Sequence, residues 1–212
     1  MKNIYVFSGL GTDERVFQNI DFGDHSVTFI RWITPNDKES IESYAKRLTE
    51  QIKNERPILV GLSFGGIMAT EVAKLIDTEK IIIIASVKTK KEIPFYFRLT
   101  GRLRMNAILP TNLMVRSKRL NNWFFGAKTL QDKKLLAEIL QDTDKTFFKW
   151  AINIIVIWAN QTQHQNLKHI HGTADRIFPY RFVTCDLTVK NGGHFMTVNK
   201  AAELTEKIRS LL

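Results

Sequence analysis

The sequence holds one cysteine, Cys185, in 212 residues. That scarcity excludes an internal disulfide framework and a cysteine-rich metal site. The lone thiol reads as a small buried residue in a strand. Long apolar runs are missing as well: the longest, residues 81–87 and 154–159, fall far below the ~18 residues that a membrane span needs. The first apolar run, residues 4–7, is too short for a signal-peptide core, so the expectation is a cytoplasmic protein. There is no internal repeat, low-complexity tract or flexible linker. No recognisable nucleic-acid reading motif accompanies the basic residues, so no nucleic-acid partner is expected. What remains is ordinary globular composition, 44% hydrophobic and 25% charged, in a chain long enough for a substantial core.

Acidic residues are scarce in one place only. The formal net charge is +10. Residues 88–134 carry twelve Lys and Arg against Glu92 and Asp132, and over the rest of the chain bases and acids cancel. Interleaved with those cations are Phe95, Tyr96, Phe97, Leu99, Leu103, Met105, Ile108, Leu109, Trp123 and Phe124. Such a mixture is usually a solvated face. It also suits an anionic carrier or a membrane surface, through apolar burial plus attraction to anionic groups.

Outside that segment the chain alternates. Apolar runs at 4–7, 27–32, 58–61 and 81–85 read as strands, the last continuous enough to be buried on both faces. Residues 40–53 and 67–76 place apolar side chains at helical spacing between them. After an irregular stretch come helices over 130–141 and 144–159, strands over 167–171 and 184–189, and a closing helix over 200–212. Strand–helix alternation implies a parallel sheet with helices on both faces, where ligands bind at the carboxyl ends of strands. The expected layout is one α/β domain: core residues 1–87, an inserted, mainly helical, basic and aromatic lid over 88–142, and core again over 143–212.

Three loops at such strand ends carry chemistry. "VGLSFGG" sets Ser63 among glycines directly after a strand. The G-x-S-x-G pattern makes a sharp turn that exposes a serine nucleophile, although the glycines and serine alone also fit a helix cap. "HIHGTADRIFP" carries Asp175, and "KNGGHFM" carries His194. A serine needs a base to take its proton, and the base needs an acid to hold its tautomer. The remaining histidines look peripheral. His171 reads as a strand-end residue supporting the acid loop, and His25, His164 and His169 read as surface positions without ligand spacing.

The chain order serine, acid, histidine, with "GLSFGG", "HGTADRIFP" and "GGHF" each in strand context, resembles the α/β-hydrolase superfamily, especially its small, lid-bearing serine esterases. The resemblance covers most of the chain outside residues 88–142. It implies a sheet trimmed to about six strands, because the family's first two are absent. It implies catalytic Ser63, Asp175 and His194, and needs no cofactor or metal. "FSGLGTDERVF" looks like the oxyanion loop, beginning Ser8-Gly9 where the family usually has His-Gly. By resemblance, the backbone N–H groups of Leu10 and Phe64 would be the oxyanion donors. The activity implied is hydrolysis of an ester or thioester of a small-molecule substrate. Acyl transfer, lyase or C–C hydrolase chemistry on the same triad, a sensor that binds but turns over little, and a surface-binding module centred on the basic lid are the other readings. An aspartate-based dehalogenase or epoxide hydrolase is disfavoured by the serine.

Overall fold

Residues 58–62 and 81–84 are apolar at every position apart from Gly61, which leaves no polar face for water. Strands of that kind must lie inside a sheet covered on both sides. A computed structural model, which describes residues 1–102 and 117–212 (backbone alone for 100–102), places them there. In chain order the elements are β1 (Asn3–Phe7), β2 (Ser26–Phe29), α1 (Ile41–Thr49), β3 (Ile58–Leu62), α2 (Phe64–Val72) and β4 (Lys80–Ile84). Then follow α3 (Phe95–Arg102), α4 (Lys118–Phe125), α5 (Leu130–Asp142), α6 (Lys145–Ile157), β5 (Leu167–Gly172), β6 (Leu187–Val189), α7 (Met196–Asn199) and α8 (Ala201–Arg209). The six strands form one sheet in the order β2-β1-β3-β4-β5-β6. Every pairing is parallel, so the expected mostly parallel sheet is wholly so.

Two-residue alternation sorts the core into two layers. Tyr5, Phe7, Leu59, Ile81 and Ile83 face one way and meet Tyr44 and Leu48 of α1, Ile67 and Met68 of α2, and Phe147 and Ala151 of α6. Ile4, Val6, Val60, Ile82 and Ile84 face the other way and meet Leu136 and Ile139 of α5 and Leu204 and Ile208 of α8. Fully burying each such aliphatic side chain is worth about 1.5–3 kcal/mol, so both layers hold the sheet. Edge strand β2 alternates between exposed and half-buried positions.

Several boundaries differ from the periodicity reading, each for a local reason. The helix expected over 67–76 starts at Phe64, because Gly65 and Gly66 lie inside its first turn. The strand expected over 184–189 shrinks to Leu187–Val189, since the Thr184 N–H and hydroxyl both donate to Glu92 Oε1 at 3.1 and 3.0 Å. That contact takes the chain out of the ladder and leaves Cys185 half-buried in a loop rather than in a strand. The irregular stretch contains α3 and α4, both amphipathic. Leu103, Arg104, Met105, Ile108, Leu109 and Arg116 of the basic segment lie outside the described residues. Among the described residues no helix is long and apolar enough to cross a membrane.

Strand β3 and helix α2 approach so closely that side chains are forbidden at the contact. A Cβ on Gly65 would run into the carbonyl oxygens of Phe7 and Ser8, and one on Gly61 would meet the backbone of Gly65 and Gly66. On Gly193 a Cβ would find its nearest atom, Phe125 O, at 3.4 Å, an ordinary contact. Gly65→Ala should therefore lower stability by about 2–3 kcal/mol, as overpacking against rigid backbone does, whereas Gly193→Ala should cost less than about 1 kcal/mol. Urea unfolding midpoints measure both. Equal midpoints for Gly65→Ala and the parent would show that α2 does not rest on β1 as described.

Candidate active site

Ser63 is the hinge between β3 and α2. Its backbone sits at φ 54°, ψ −120°, a conformation that costs a non-glycine residue about 1–3 kcal/mol and persists only when neighbours enforce it. They do so from two directions. The Ser63 N–H donates to Ile84 O at 2.9 Å, and Ser86 Oγ donates to Ser63 O at 2.7 Å. The side chain makes no capping bond to α2, so the hydroxyl is not spent on the helix.

It is engaged elsewhere. Ser63 Oγ lies 2.8 Å from His194 Nε2, and His194 Nδ1 lies 2.8 Å from Asp175 Oδ2. With Nδ1–H donating to the carboxylate, Nε2 holds a lone pair and accepts the Ser63 proton. The other carboxylate oxygen is tied down: Asp175 Oδ1 accepts from Ile177 N–H at 2.8 Å and Phe178 N–H at 3.0 Å. Burial works to raise the Asp175 pKa. The charge and hydrogen bond of His194, with His171 and the Phe178 N–H, outweigh it and hold the acid below its ordinary value. Phe125 and Phe178 pack edge-on against the His194 ring at 5.6 and 5.9 Å. Arg176 does not pair with Asp175; its Nη1 donates to Trp123 O at 2.6 Å.

The loop after β1 closes over the serine. A Cβ on Gly9 would lie 3.4 Å from Ser63 Cβ, so Gly9 passes directly alongside. Ser8, standing where the family usually has histidine, is buried and fully bonded: its hydroxyl donates to Thr12 O at 2.8 Å and accepts from Trp32 Nε1 at 3.0 Å. Phe64 opens α2, where the first N–H groups have no partner within the helix. Neither it nor the Leu10 N–H meets an acceptor among the described residues. Arg15 ties the loop to α5, 2.6 Å from Asp13 and 2.7 Å from Asp142.

Behind the acid lies a pair that the sequence did not announce. His169, expected at the surface, is fully buried, because β5 is an interior strand. His169 Nδ1 is 3.0 Å from Thr184 O, its Nε2 is 3.0 Å from His171 Nδ1, and His171 Nε2 is 2.8 Å from Phe178 O. The last contact pins the turn that bonds Asp175. Two neutral rings bring two N–H groups to three contacts, and the two carbonyls claim them; only a third proton would fill the contact between the rings. Burial opposes that proton. It holds His171 below the ordinary histidine value, and with the neighbouring His171 it pushes His169 down to about 3. His25 and His164, also expected at the surface, are half-buried, with His164 Nε2 3.2 Å from Thr70 O. Ser86 and Trp32 belong to the site's support but lie in no motif loop, and Phe178 lies in the "HGTADRIFP" stretch without a residue type that singles it out.

Among the described residues, clefts flank these groups on two sides, and neither of these is lined by Ser63 itself. One, of about 250 Å³, borders the loop after β1 through Gly11, Thr12 and Asp13 together with Trp32 and Phe147. The other borders Gly193 and Arg176. Among the described residues no group of three or more His, Cys, Asp or Glu could hold a metal ion.

Residues 11–181 match the model of an uncharacterised protein family, UPF0227. The chain belongs to the UPF0227 family. The matched span includes Ser63 and Asp175 and stops before His194. No curated protein matches the sequence. Solved structures do match this UPF0227 chain in shape. Bromoperoxidase from Bacillus anthracis has a TM-score of 0.70 at 15% identity, over 99% of this chain and 91% of its own. A thermophilic esterase from Thermogutta terrifontis has 0.70 at 13%, over 99% and 89%. An epoxide hydrolase from Bacillus megaterium has 0.72 at 12%, over 100% and 93%. These likenesses establish that this UPF0227 member has the α/β-hydrolase fold.

The buried imidazoles give the fold a pH signature. Unfolded, His169 takes up a proton near ~6.5; folded, it stays neutral down to about 3. The unfolded state thus binds more protons between those values, and stability falls as pH drops through that window, by at most about 1.4 kcal/mol per pH unit for this group. His169→Asn should be less stable than the parent at pH 7 and show a shallower loss between pH 6.5 and 4. Urea midpoints at stepped pH measure the difference; parallel slopes would refute a buried neutral His169.

Proposed function

We propose that this protein is a serine hydrolase that cleaves an ester or thioester of a small molecule through an acyl-enzyme on Ser63. The observation that carries the reading is the unbroken pair of 2.8 Å contacts from Ser63 Oγ through His194 to Asp175, set on a strained turn at the carboxyl edge of the sheet. Ser63 Oγ attacks the carbonyl carbon while His194 Nε2 takes its proton. His194 then protonates the leaving alcohol or thiol as the tetrahedral intermediate collapses. A water, deprotonated by His194, attacks the acyl-enzyme and releases the acid and the free serine. Asp175 holds the Nδ1–H tautomer and offsets the imidazolium charge. The Leu10 and Phe64 N–H groups, without acceptors among the described residues, are the donors we assign to the oxyanion. Residues 88–142 are read as the lid over this edge. A serine at the turn favours acyl chemistry over the epoxide opening named for one of the structural neighbours.

An organophosphonate ester probe should add once, on the peptide that contains "GLSFGG", and intact mass should show no adduct on folded Ser63→Ala or His194→Ala protein. Labelling that persists at another residue in Ser63→Ala would overturn the assignment. Across p-nitrophenyl esters of rising acyl length, Asp175→Asn should lose on the order of 10⁴ in rate, because the amide favours the wrong imidazole tautomer. An Asp175→Asn protein of parental activity would remove the acid from the mechanism.

A further inference from the structure

The second cleft, of about 560 Å³, lies between α4, the start of α5 and the loops that carry Asp175 and His194. Among the described residues four cations line it, Arg119, Lys128, Lys133 and Arg176, and no carboxylate does. Among the described residues none of the four has an ion-pair partner. The acids adjacent to these cations in sequence, Asp132 and Asp175, are both buried and occupied: Asp132 Oδ2 accepts the N–H groups of Lys128 and Thr129 at 3.1 and 3.2 Å, the latter as half of a capping box, and Asp175 is bonded by His194 and its own turn. Arg176 is held in place, its guanidinium lying 4.6 Å above the Trp123 ring while Nη1 donates to Trp123 O. Four like charges around one cleft repel one another unless an anion sits among them.

Three of the four, Arg119, Lys128 and Lys133, come from the segment that holds the chain's whole charge surplus. The cleft also abuts the catalytic loops. Arg176 follows Asp175, and Gly193 precedes His194. The carboxyl end of α4 is fastened to the histidine loop, with Phe195 N–H donating to Phe125 O at 2.9 Å and Asn199 Nδ2 donating to Gly126 O at 3.0 Å.

We infer that this cleft binds a phosphoryl group carrying two or more negative charges, a phosphomonoester or diphosphate, on the part of the substrate remote from the scissile carbonyl. The inference rests on reading Ser63 as the nucleophile. A single carboxylate answers one charge, whereas four cations call for a multiply charged group. A guanidinium fork held flat by an indole matches the tetrahedral oxygens of phosphate. The attraction is screened over roughly 10 Å at ~0.1 M salt, so binding weakens as salt rises.

Inorganic pyrophosphate, titrated into the full-length Ser63→Ala protein at low salt, tests the site without turnover, by calorimetry and by quenching of Trp123 fluorescence. One saturable site is expected, weakened at least tenfold by Arg119→Glu with Lys128→Glu, and left unchanged by reversal of the exposed Lys46 and Lys53 on the opposite part of the chain. Anionic phosphatidylglycerol vesicles form a second arm. Capture by vesicles that is lost in the cleft variant identifies a lipid headgroup as the source of the phosphoryl group, and saturable pyrophosphate binding identifies a soluble one. On the wild-type enzyme, the ratio of KM for a phosphoryl-bearing ester to KM for its neutral counterpart should rise at least tenfold in the cleft variant. Absent binding of both probes, or equal weakening by the cleft and the control reversals, would overturn the inference. Since the binding arm uses a protein without the nucleophile, its result stands apart from whether Ser63 is labelled by a phosphonate.

Discussion

The first turn of α2 rests directly on the backbone of β1 and β3, and the arrangement of the site follows from that contact. Gly61 and Gly65 let two main chains approach where any side chain would collide, and Gly66 leaves room for the Ser86 side chain. The approach is possible only if the intervening residue turns sharply, which puts Ser63 at a positive φ. Because the contact is backbone against backbone, it cannot relax by changing a rotamer. The hydroxyl is therefore held by the sheet itself, and Ser86 at the end of the adjacent strand locks the carbonyl behind it.

A second constraint is electrostatic. Asp175 is buried, and an isolated carboxylate in that setting would take up a proton. It stays ionised because the backbone N–H groups of its own turn satisfy one oxygen and His194 satisfies the other. The turn is in turn pinned by His171 through the Phe178 carbonyl, and His171 is backed by His169. The interior histidines thus act on the acid through its loop. They are neutral because burial keeps them so, and a neutral ring can hold a carbonyl without adding a second buried charge.

Much of this was legible in advance. Uninterrupted aliphatic runs at 58–62 and 81–84 identify interior strands, since no other environment tolerates them, and their alternation with amphipathic helices identifies a parallel sheet. Glycines on both sides of Ser63 identify a tight turn. The motif loops after the strands at 58–62, 167–172 and 187–189 place a serine, an acid and a histidine on the same edge, because all parallel strands end there. Less was legible where contacts distant in sequence decide. Thr184 leaves its strand for Glu92, Cys185 follows it into a loop, and His169 is interior because of where β5 sits in the strand order; no local pattern encodes any of these. Helices α3 and α4 escaped the periodicity reading because each is eight residues long, about two turns, too short for a helical repeat to stand out.

The amino-acid sequence by itself determined which residues are capable of the chemistry, which segments are strands, and where the charge surplus lies along the chain. Periodicity, glycine spacing and residue type are local properties, and local physics reads them. Only the tertiary structure decided that the Ser63 hydroxyl meets His194 rather than capping α2, that Arg176 lies on Trp123 rather than against Asp175, and that three cations of the basic segment and Arg176 line a single cleft. Each of those outcomes turns on at least one contact between groups tens of residues or more apart in the chain. Such distances are set by how the two core layers pack the sheet, which no short stretch of sequence contains.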